Sequence, residues 1–419
     1  MLEFSDAPYR FFEARPSAPV IALGNFINRR VFLKAPNHRV AEIRIGGETA
    51  MLRECMAKGD RLMFVINHPT HSDAQVLTEV QRRLGVPGCF MAAYDVFLRS
   101  RANAWCMQRL GNFSIDREGS DRKAMAAAVE VLKEGKRALN IYPEGNVFLT
   151  NDRLAPFLDG AAFIALKAQA ALDDAEVKVV PVSVKFTNLT APREAVTARM
   201  RQLAGDSGYV FPKGAADDPV AAVLGLGEHV LHGFLKRHGL SGDGQVAEVS
   251  LHDRLKAFSE KLMDEVCGKL SLDGKPCPLK ERIARARSRI HQLRTDVKEE
   301  GDAHPEIHGL ADRAILAMRI HGYCEPYLTQ HPTIDRYDET VERICEDFHG
   351  RIMPRTGARR AMVELHEPIS VRDLLEKSGG KTRDAIPALT AAVAAKVQAG
   401  IDALNAKNDA PGAAMAGEP

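Results

Sequence analysis

The sequence lacks paired cysteines. Its seven cysteines are odd in number and scattered, and no two of them form a Cys-x-x-Cys pair. This pattern disfavours a disulfide framework and a structural zinc site, and it is typical of reduced thiols in a reducing compartment. We therefore expect a cytoplasmic protein with no bound metal and no other cofactor.

Long hydrophobic runs and an excess of one charge are also missing. No stretch approaches the roughly 20 apolar residues that a membrane-spanning helix needs, and the opening MLEFSDAPYRFFEARP has no apolar signal-peptide core. The formal net charge is only +2, so bulk charge does not indicate a nucleic-acid partner. We expect a protein that is soluble or peripheral on the inner face of the membrane.

Residues 41–195 contain an alternating pattern of short apolar runs and amphipathic segments. The strand candidates are AEIRI, RLMFVIN, CFMAA, FSI, ALNIY and KVVPVSV, with helix candidates such as QVLTEVQRRLG and DRKAMAAAVEVLKEG between them. Alternating strands and helices predict an α/β domain with a largely parallel central sheet flanked by helices.

Four further segments surround this core. We predict amphipathic N-terminal helices over residues 1–40 and a large helical insertion over residues 196–350, before the last strand. Residues 351–405 supply the final strand and a closing helix, and the small, polar residues 406–419 are expected to be a disordered tail.

The stretch NHPTHSD, residues 67–73, follows the apolar run RLMFVI and opens a predicted helix. Ser72 is a candidate N-cap, with Gln75 as its capping-box partner. His68 then lies at the carboxyl end of a strand, where sites form in parallel sheets, and Asp73 lies in the first helical turn. A carboxylate so placed can hold one imidazole nitrogen and leave the other as a general base.

A metal site is a second interpretation of the same stretch. His68, His71 and Asp73 are possible ligands, but the further ligands of a hydrolytic metal site are missing nearby. We therefore favour a His68–Asp73 base without metal and regard His71 as a loop residue.

Four blocks in this order resemble the glycerolipid acyltransferase family, whose familiar members are the lysophosphatidate (1-acylglycerol-3-phosphate) acyltransferases. NHPTHSD resembles the family's NHxxxxD block through His68 and Asp73. The other blocks are GNFSIDR with Gly111, Phe113 and Arg117, YPEGN with Pro143, Glu144 and Gly145, and KVVPVSV with Pro181. The resemblance covers roughly residues 40–190 and 355–405, and the helical insertion has no counterpart in it.

The resemblance implies transfer of a fatty acyl group from acyl-CoA or acyl carrier protein to the hydroxyl of a glycerolipid or lysophospholipid. His68 would remove the hydroxyl proton, and Asp73 would orient the imidazole. The implied substrate-binding residues are Gly111, Phe113, Arg117, Pro143, Glu144 and Gly145. Arg117 would hold the acceptor phosphate, since a guanidinium matches phosphate oxygens.

The residues alone leave simpler roles open. Arg117 is also explained by a salt bridge to Asp116 or Glu118, and Glu144 by acceptance of hydrogen bonds from loop amides. Many family members follow Pro-Glu-Gly with Thr-Arg, whereas this chain has Asn146. The phosphate pocket thus lacks one cation, which Arg153, Lys185 or a group from the insertion would have to replace; otherwise the acceptor is less charged.

Two segments are candidates for contact with a membrane or an acidic carrier protein. The N-terminal segment mixes phenylalanine with arginine and lysine, as interfacial helices do. The segment ERIARARSRIHQLR is the second candidate, although charge runs are usually solvated helix faces. A non-catalytic lipid-binding protein on the same fold remains an alternative to an enzyme.

Overall fold

The computed structural model describes residues 9–117, 121–215, 217–237, 250–272, 277–296, 305–323 and 326–415. Eight strands of these residues form one sheet. They are β1 (Val40–Gly47), β2 (Arg61–Ile66), β3 (Gly88–Ala93), β4 (Phe113–Ile115), β5 (Ala138–Ile141), β6 (Val177–Asn188), β7 (Arg359–Leu365) and β8 (Ile369–Ser370).

The sheet is mostly parallel, which confirms the predicted α/β class. Its order is β1-β7-β6-β2-β5-β3-β4, and β8 pairs with β6. β6 pairs antiparallel with β7 and with β8, and the other ladders are parallel. The carboxyl ends of β2, β5 and β6 therefore meet at one edge, here called the carboxyl edge of the sheet.

Helices cover both faces of the sheet. The helices of the core are α1 (Ala18–Arg30), α2 (Thr49–Lys58), α3 (Asp73–Leu84), α4 (Tyr94–Leu98), α5 (Arg101–Arg109), α6 (Arg122–Glu134), α7 (Gly160–Gln169), α15 (Val371–Lys377) and α16 (Thr382–Ala406). Between β6 and β7 lie α8 (Arg193–Ser207), α9 (Pro219–Arg237), α10 (Leu251–Lys269), α11 (Leu279–Asp296), α12 (Pro305–His321), α13 (Tyr327–Gln330) and α14 (Ile334–His349). Short 3₁₀ turns span Phe32–Lys34 and Pro411–Ala413.

After Arg61, the residues LMFVI of β2 are all apolar because the strand is buried on both faces. Met63 and Val65 belong to a core that includes α6, α7 and α16, whereas Phe64 and Ile66 belong to a core on the opposite face with α2 and α3. Side chains alternate between the faces of a strand, so a central parallel strand needs an apolar residue at every position.

The N-terminal segment is less helical than predicted. The described part contains one α-helix, α1, and the 3₁₀ turn at Phe32–Lys34, and residues 9–17 form no helix. Phe12 exchanges hydrogen bonds with Ser114, from its N–H to the hydroxyl and from the Ser114 N–H to its carbonyl. The backbone here runs beside β4, and a partner distant in sequence overrides the local helical pattern. Residues 1–8 lie outside the described part.

The segment predicted as a helical insertion carries α8–α14, and α14 joins it to the carboxyl edge. The Asp335 carboxylate accepts hydrogen bonds from Thr187 and Asn188 at the end of β6. On the same helix, Arg336 contacts Asp152, which also pairs with the buried Lys185. These contacts fix the insertion directly above the ends of the strands.

The predicted disordered tail is ordered over its described part. The 3₁₀ turn Pro411–Ala413 packs beside α14, where the Ile334 N–H donates to the Ala414 carbonyl at 2.7 Å. Arg193 donates to the Met415 carbonyl at 2.9 Å. Small residues allow this close approach of the two backbones, which composition alone did not indicate. Residues 416–419 lie outside the described part.

β6 extends beyond β2 at the carboxyl edge, and two asparagines continue its ladder. β2 ends at Ile66, opposite Val182. The Asn67 side chain then donates to the Val184 carbonyl at 2.8 Å and accepts from the Val184 N–H at 2.7 Å. Asn151 makes the same pair of bonds with Phe186. Each asparagine side chain therefore makes the two hydrogen bonds that a neighbouring strand would make with β6 at that position.

Replacing Asn151 with alanine tests this arrangement. The side chain is only 1% exposed, so Asn151→Ala leaves the N–H and C=O of Phe186 without their partner. We expect a loss of about 2–6 kcal/mol of unfolding free energy, since each of the two buried unsatisfied groups costs about 1–3 kcal/mol. Urea denaturation measures it, with the exposed Asn37→Ala as control. Equal stability of the two variants would contradict this account of the edge.

Candidate active site

His68 and Asp73 meet at the carboxyl end of β2. The His68 Nδ1 lies 2.7 Å from the Asp73 Oδ2. The Asp73 side chain is fully buried, and the imidazole is 23% exposed. The Thr70 N–H and hydroxyl both donate to the same carboxylate. Asp73 therefore accepts the Nδ1 proton of His68, and this leaves Nε2 as the nitrogen that can act as a base.

A tyrosine that sequence reasoning missed supports the imidazole. The rings of His68 and Tyr142 stack with centroids 4.3 Å apart and planes 20° apart. Tyr142 follows β5, the neighbour of β2, so the sheet order brings the two rings together. Burial, followed by the charge of Asp73, raises the pKa of Tyr142 well above its usual value. The phenol is therefore a neutral wall beside the imidazole. The sequence feature that could have identified Tyr142 is its position directly before Pro-Glu-Gly.

Glu144 connects the two loops of the site. Its Oε1 accepts the His68 N–H at 2.6 Å, and its Oε2 accepts the Ala155 N–H at 2.8 Å. The carboxylate is 4% exposed. These contacts match the simpler of the two predicted roles of Glu144, in which its carboxylate accepts hydrogen bonds from loop amides. Glu144 therefore holds the backbone of His68 in place.

Arg117 reaches the same loop from the end of β4. Its guanidinium donates to the Gly145 carbonyl at 3.1 Å and to the Asn146 side chain at 2.8 Å. A third contact, at 3.3 Å, joins it to Asp95. The acidic partner is thus Asp95 and not Asp116, while Glu118 lies outside the described residues. With 25% of its side chain exposed, Arg117 remains accessible beside the His68 loop.

The insertion adds a second guanidinium near Arg117. Arg287 and His291 lie one turn apart on α11, and His291 Nε2 is 3.1 Å from Asp116 Oδ2. Arg287 is 8% exposed and contacts the Met318 sulfur. Burial, and next the nearby charge of Arg117, lower the pKa of Arg287 to about 9. α11 is therefore not a uniformly solvated helix. Arg285 is exposed, and the side chain of Arg294 lies outside the described part.

Ser72 precedes α3 but does not cap it. Its hydroxyl lies 3.0 Å from His38 Nδ1 and accepts from Arg359 at 2.7 Å. No side-chain capping bond forms at this helix end, so the predicted capping box with Gln75 is wrong. Burial, followed by the charges of Arg359 and Arg355, lowers the pKa of His38 to about 4. A neutral imidazole and a buried guanidinium thus support the turn behind Asp73.

The other predicted site residues lie in two places. Pro143 and Gly145 belong to the Glu144 turn, where the Gly145 N–H donates to the Tyr142 carbonyl and Gly145 has φ +76°. Phe113 is instead fully buried in the core, and Gly111 precedes the amino end of β4. The structure therefore does not bring Gly111 and Phe113 to His68. The φ of +89° at Gly111 explains the glycine there.

His71 points away from the His68–Asp73 pair. Its Nε2 lies 2.9 Å from Glu346 Oε2 on α14. Burial lowers the pKa of His71 to about 3 and raises that of Glu346, so the imidazole of His71 is neutral in this contact. Within the described part of the chain, no cluster of three or more His, Cys, Asp or Glu side chains has the arrangement of a metal site.

The helices were also compared with the requirements of a membrane span. Across the described ranges, no helix is both long enough and apolar enough to cross a bilayer.

The chain was compared with known proteins. No curated protein matches it. Residues 48–185, from α2 to β6, match the family model described as Acyltransferase. This range contains the His68–Asp73 pair, Tyr142 and the Glu144 turn. The match supports the resemblance to the glycerolipid acyltransferases at the level of this domain, and with it a general acyltransferase activity.

Proposed function

We propose that this protein transfers a fatty acyl group from a thioester, acyl-CoA or acyl carrier protein, to the hydroxyl of a glycerolipid or lysophospholipid. One observation carries the proposal. A fully buried carboxylate holds Nδ1 of a partly exposed imidazole at the carboxyl edge of the sheet, inside the range that matches an acyltransferase.

That geometry supports the following reaction. His68 Nε2 takes the proton of the acceptor hydroxyl as its oxygen attacks the thioester carbonyl carbon. The new C–O bond forms and the C–S bond breaks, and the imidazolium returns its proton to the departing thiolate. The Asp73 carboxylate stabilises the imidazolium between these steps. Glu144 and Tyr142 keep the imidazole in place. Because the acceptor's own oxygen attacks the thioester, no covalent acyl-enzyme is required.

Substitution of the pair tests the proposal. We expect His68→Ala and Asp73→Asn each to lower kcat for thiol release by about 10²–10⁴-fold, because general base catalysis contributes about that much. Asp73→Asn keeps the shape of the side chain and removes its charge. Thiol release from palmitoyl-CoA with a lysophospholipid acceptor measures the effect. The exposed His232→Ala on α9 is the control.

Two results count against an enzyme of this kind. Activity of His68→Ala within a few-fold of wild type removes the assigned base. No thiol release by the wild-type protein with any acyl-CoA or acyl carrier protein, combined with tight lipid binding, favours the non-catalytic lipid-binding protein.

Charges around Arg117 support an acceptor other than a phosphomonoester. Arg117 contacts Asp95, and Asp116 lies close by and pairs with His291. Arg287 adds a positive charge from the insertion, whereas Lys185 is buried against Asp152. The charges of two carboxylates thus offset those of two guanidiniums. A phosphomonoester, which carries nearly two negative charges, therefore meets little net electrostatic attraction. We propose a lysolipid with a phosphodiester or uncharged head group.

An acceptor panel tests this preference. We expect higher kcat/KM with lysophosphatidylcholine or lysophosphatidylglycerol than with lysophosphatidate. Asp95→Asn removes one carboxylate and is expected to raise the relative kcat/KM for lysophosphatidate about fivefold, equivalent to about 1 kcal/mol. Arg117→Met is expected to reduce use of all phosphate-bearing acceptors. The exposed Arg122→Met is the control, and exclusive use of lysophosphatidate by wild type contradicts the assignment.

An exposed apolar surface supports contact with a membrane. α1 and α5 are neighbours, since the Ser17 N–H donates to the Arg109 carbonyl and Gly24 lies against Leu110. The exposed apolar side chains of this surface, here called the α1–α5 surface, are Leu23, Phe26, Val31, Phe32 and Trp105. Exposed basic residues accompany them, namely Arg29, Arg30, Lys34 and Arg101. Apolar residues bordered by basic ones favour an anionic bilayer surface.

Removal of two aromatic side chains tests the α1–α5 surface. Phe26 and Trp105 are 53% and 52% exposed, so the double variant Phe26→Ser, Trp105→Ser should fold normally. We expect its partition onto vesicles with 30% anionic lipid to fall at least tenfold, since each lost aromatic contact removes about 1.5–3 kcal/mol. Cosedimentation measures this. Val210→Ser, exposed on the insertion, is the control, and equal binding by all three proteins excludes the surface.

A further inference from the structure

The helical insertion encloses a large apolar cavity. It lies between α9, α10, α12 and α14 and has an empty volume of about 940 Å³, part of it open to solvent. The apolar lining includes Val223, Leu231, Leu255, Leu316, Ile320 and Ile344. These helices lie outside residues 48–185, so the cavity is an addition to the acyltransferase domain.

One wall of the cavity comes from the catalytic domain. Leu149 and Thr150 line it, and they belong to the loop that starts with the Glu144 turn. Leu149 has φ +52°, a left-handed conformation that costs free energy for a branched side chain. The loop therefore holds a strained residue at the point where it meets the insertion.

The β6 ladder relates this wall to His68. Asn67, directly before His68, is bound to Val184, and Asn151, directly after Thr150, is bound to Phe186. Two residues of an extended strand span about 7 Å. The cavity wall and the catalytic loop are thus anchored to β6 at residues that are two positions apart.

Three charged side chains of the cavity lining and Tyr323 contact one another. Arg319 lies 3.5 Å from Asp347, and the Tyr323 hydroxyl donates to Asp347 at 2.8 Å. The Arg343 guanidinium lies 4.0 Å above the Tyr323 ring. Because these groups hold one another and most of the remaining lining is apolar, the cavity fits a hydrocarbon better than a charged ligand.

We infer that this cavity binds the hydrocarbon chain of the acyl-thioester donor, an inference that rests on the proposed function. The carbonyl carbon under attack must lie at His68, and the donor chain begins at that carbon. The hydrocarbon chain of the donor is therefore the one that enters this cavity, because the cavity wall is anchored beside the catalytic loop. The acceptor chain begins farther away, beyond the glycerol that carries the attacking hydroxyl.

Filling the cavity tests the assignment through chain length. Leu224 and Thr340 line the cavity and are half-buried, and Leu224→Trp or Thr340→Leu takes up part of its volume. We expect kcat/KM for palmitoyl-CoA to fall at least tenfold and that for butyryl-CoA to change less than twofold. Val210→Trp, at an exposed position, is the control for added bulk. An unchanged chain-length profile in a variant with wild-type circular dichroism overturns the assignment.

A second measurement needs neither turnover nor a substitution. A thioether analogue of palmitoyl-CoA with a diazirine at the chain terminus is crosslinked to the wild-type protein, and labelled peptides are identified by mass spectrometry. Label on α9, α12 or α14 supports the cavity, and this holds even if thiol release is absent and the proposed function fails. Label confined to α7 and α16 overturns the inference, because those helices line a smaller cavity of about 240 Å³ beside Pro143.

Discussion

The site depends on the buried carboxylate of Asp73. A charge of this kind is stable inside a protein only when donors surround it. The Thr70 N–H and hydroxyl are such donors, and the imidazole of His68 supplies another. The short loop between β2 and α3 brings all three to one point. The same burial that would make an unpaired carboxylate costly makes the hydrogen bond to the imidazole directional and strong.

The sheet holds the loop between β2 and α3 in place relative to the rest of the site. β6 extends beyond the end of β2, and the side chains of Asn67 and Asn151 bind the backbone along its free edge. Glu144 adds a connection between the backbones of His68 and Ala155. Two asparagine side chains thus take the place of a neighbouring strand along β6, and the Glu144 carboxylate joins two loops. An open edge with satisfied backbone groups provides room for substrates above the ends of the strands.

Local patterns predicted the strands of the core and the His68–Asp73 pair, because both depend on residues close in sequence. Tyr142 and Arg287 were missed because they reach the site through strand order and helix docking, which a single sequence does not reveal. Asp95 was missed as the partner of Arg117 for the same reason. The extended course of residues 9–17 and the ordered Pro411–Ala413 turn arise from distant backbone partners, Ser114 and Ile334.

The insertion leaves β6 at Asn188 and returns to β7 at Arg359, and these two residues are paired neighbours in the sheet. A segment whose ends are already side by side can lengthen, shorten or be exchanged without shifting any strand. The His68–Asp73 pair and most of the cavity lining are therefore encoded in separate stretches of the chain. The inserted helices can therefore change in length and composition while the hydrogen bond between His68 and Asp73 stays unchanged.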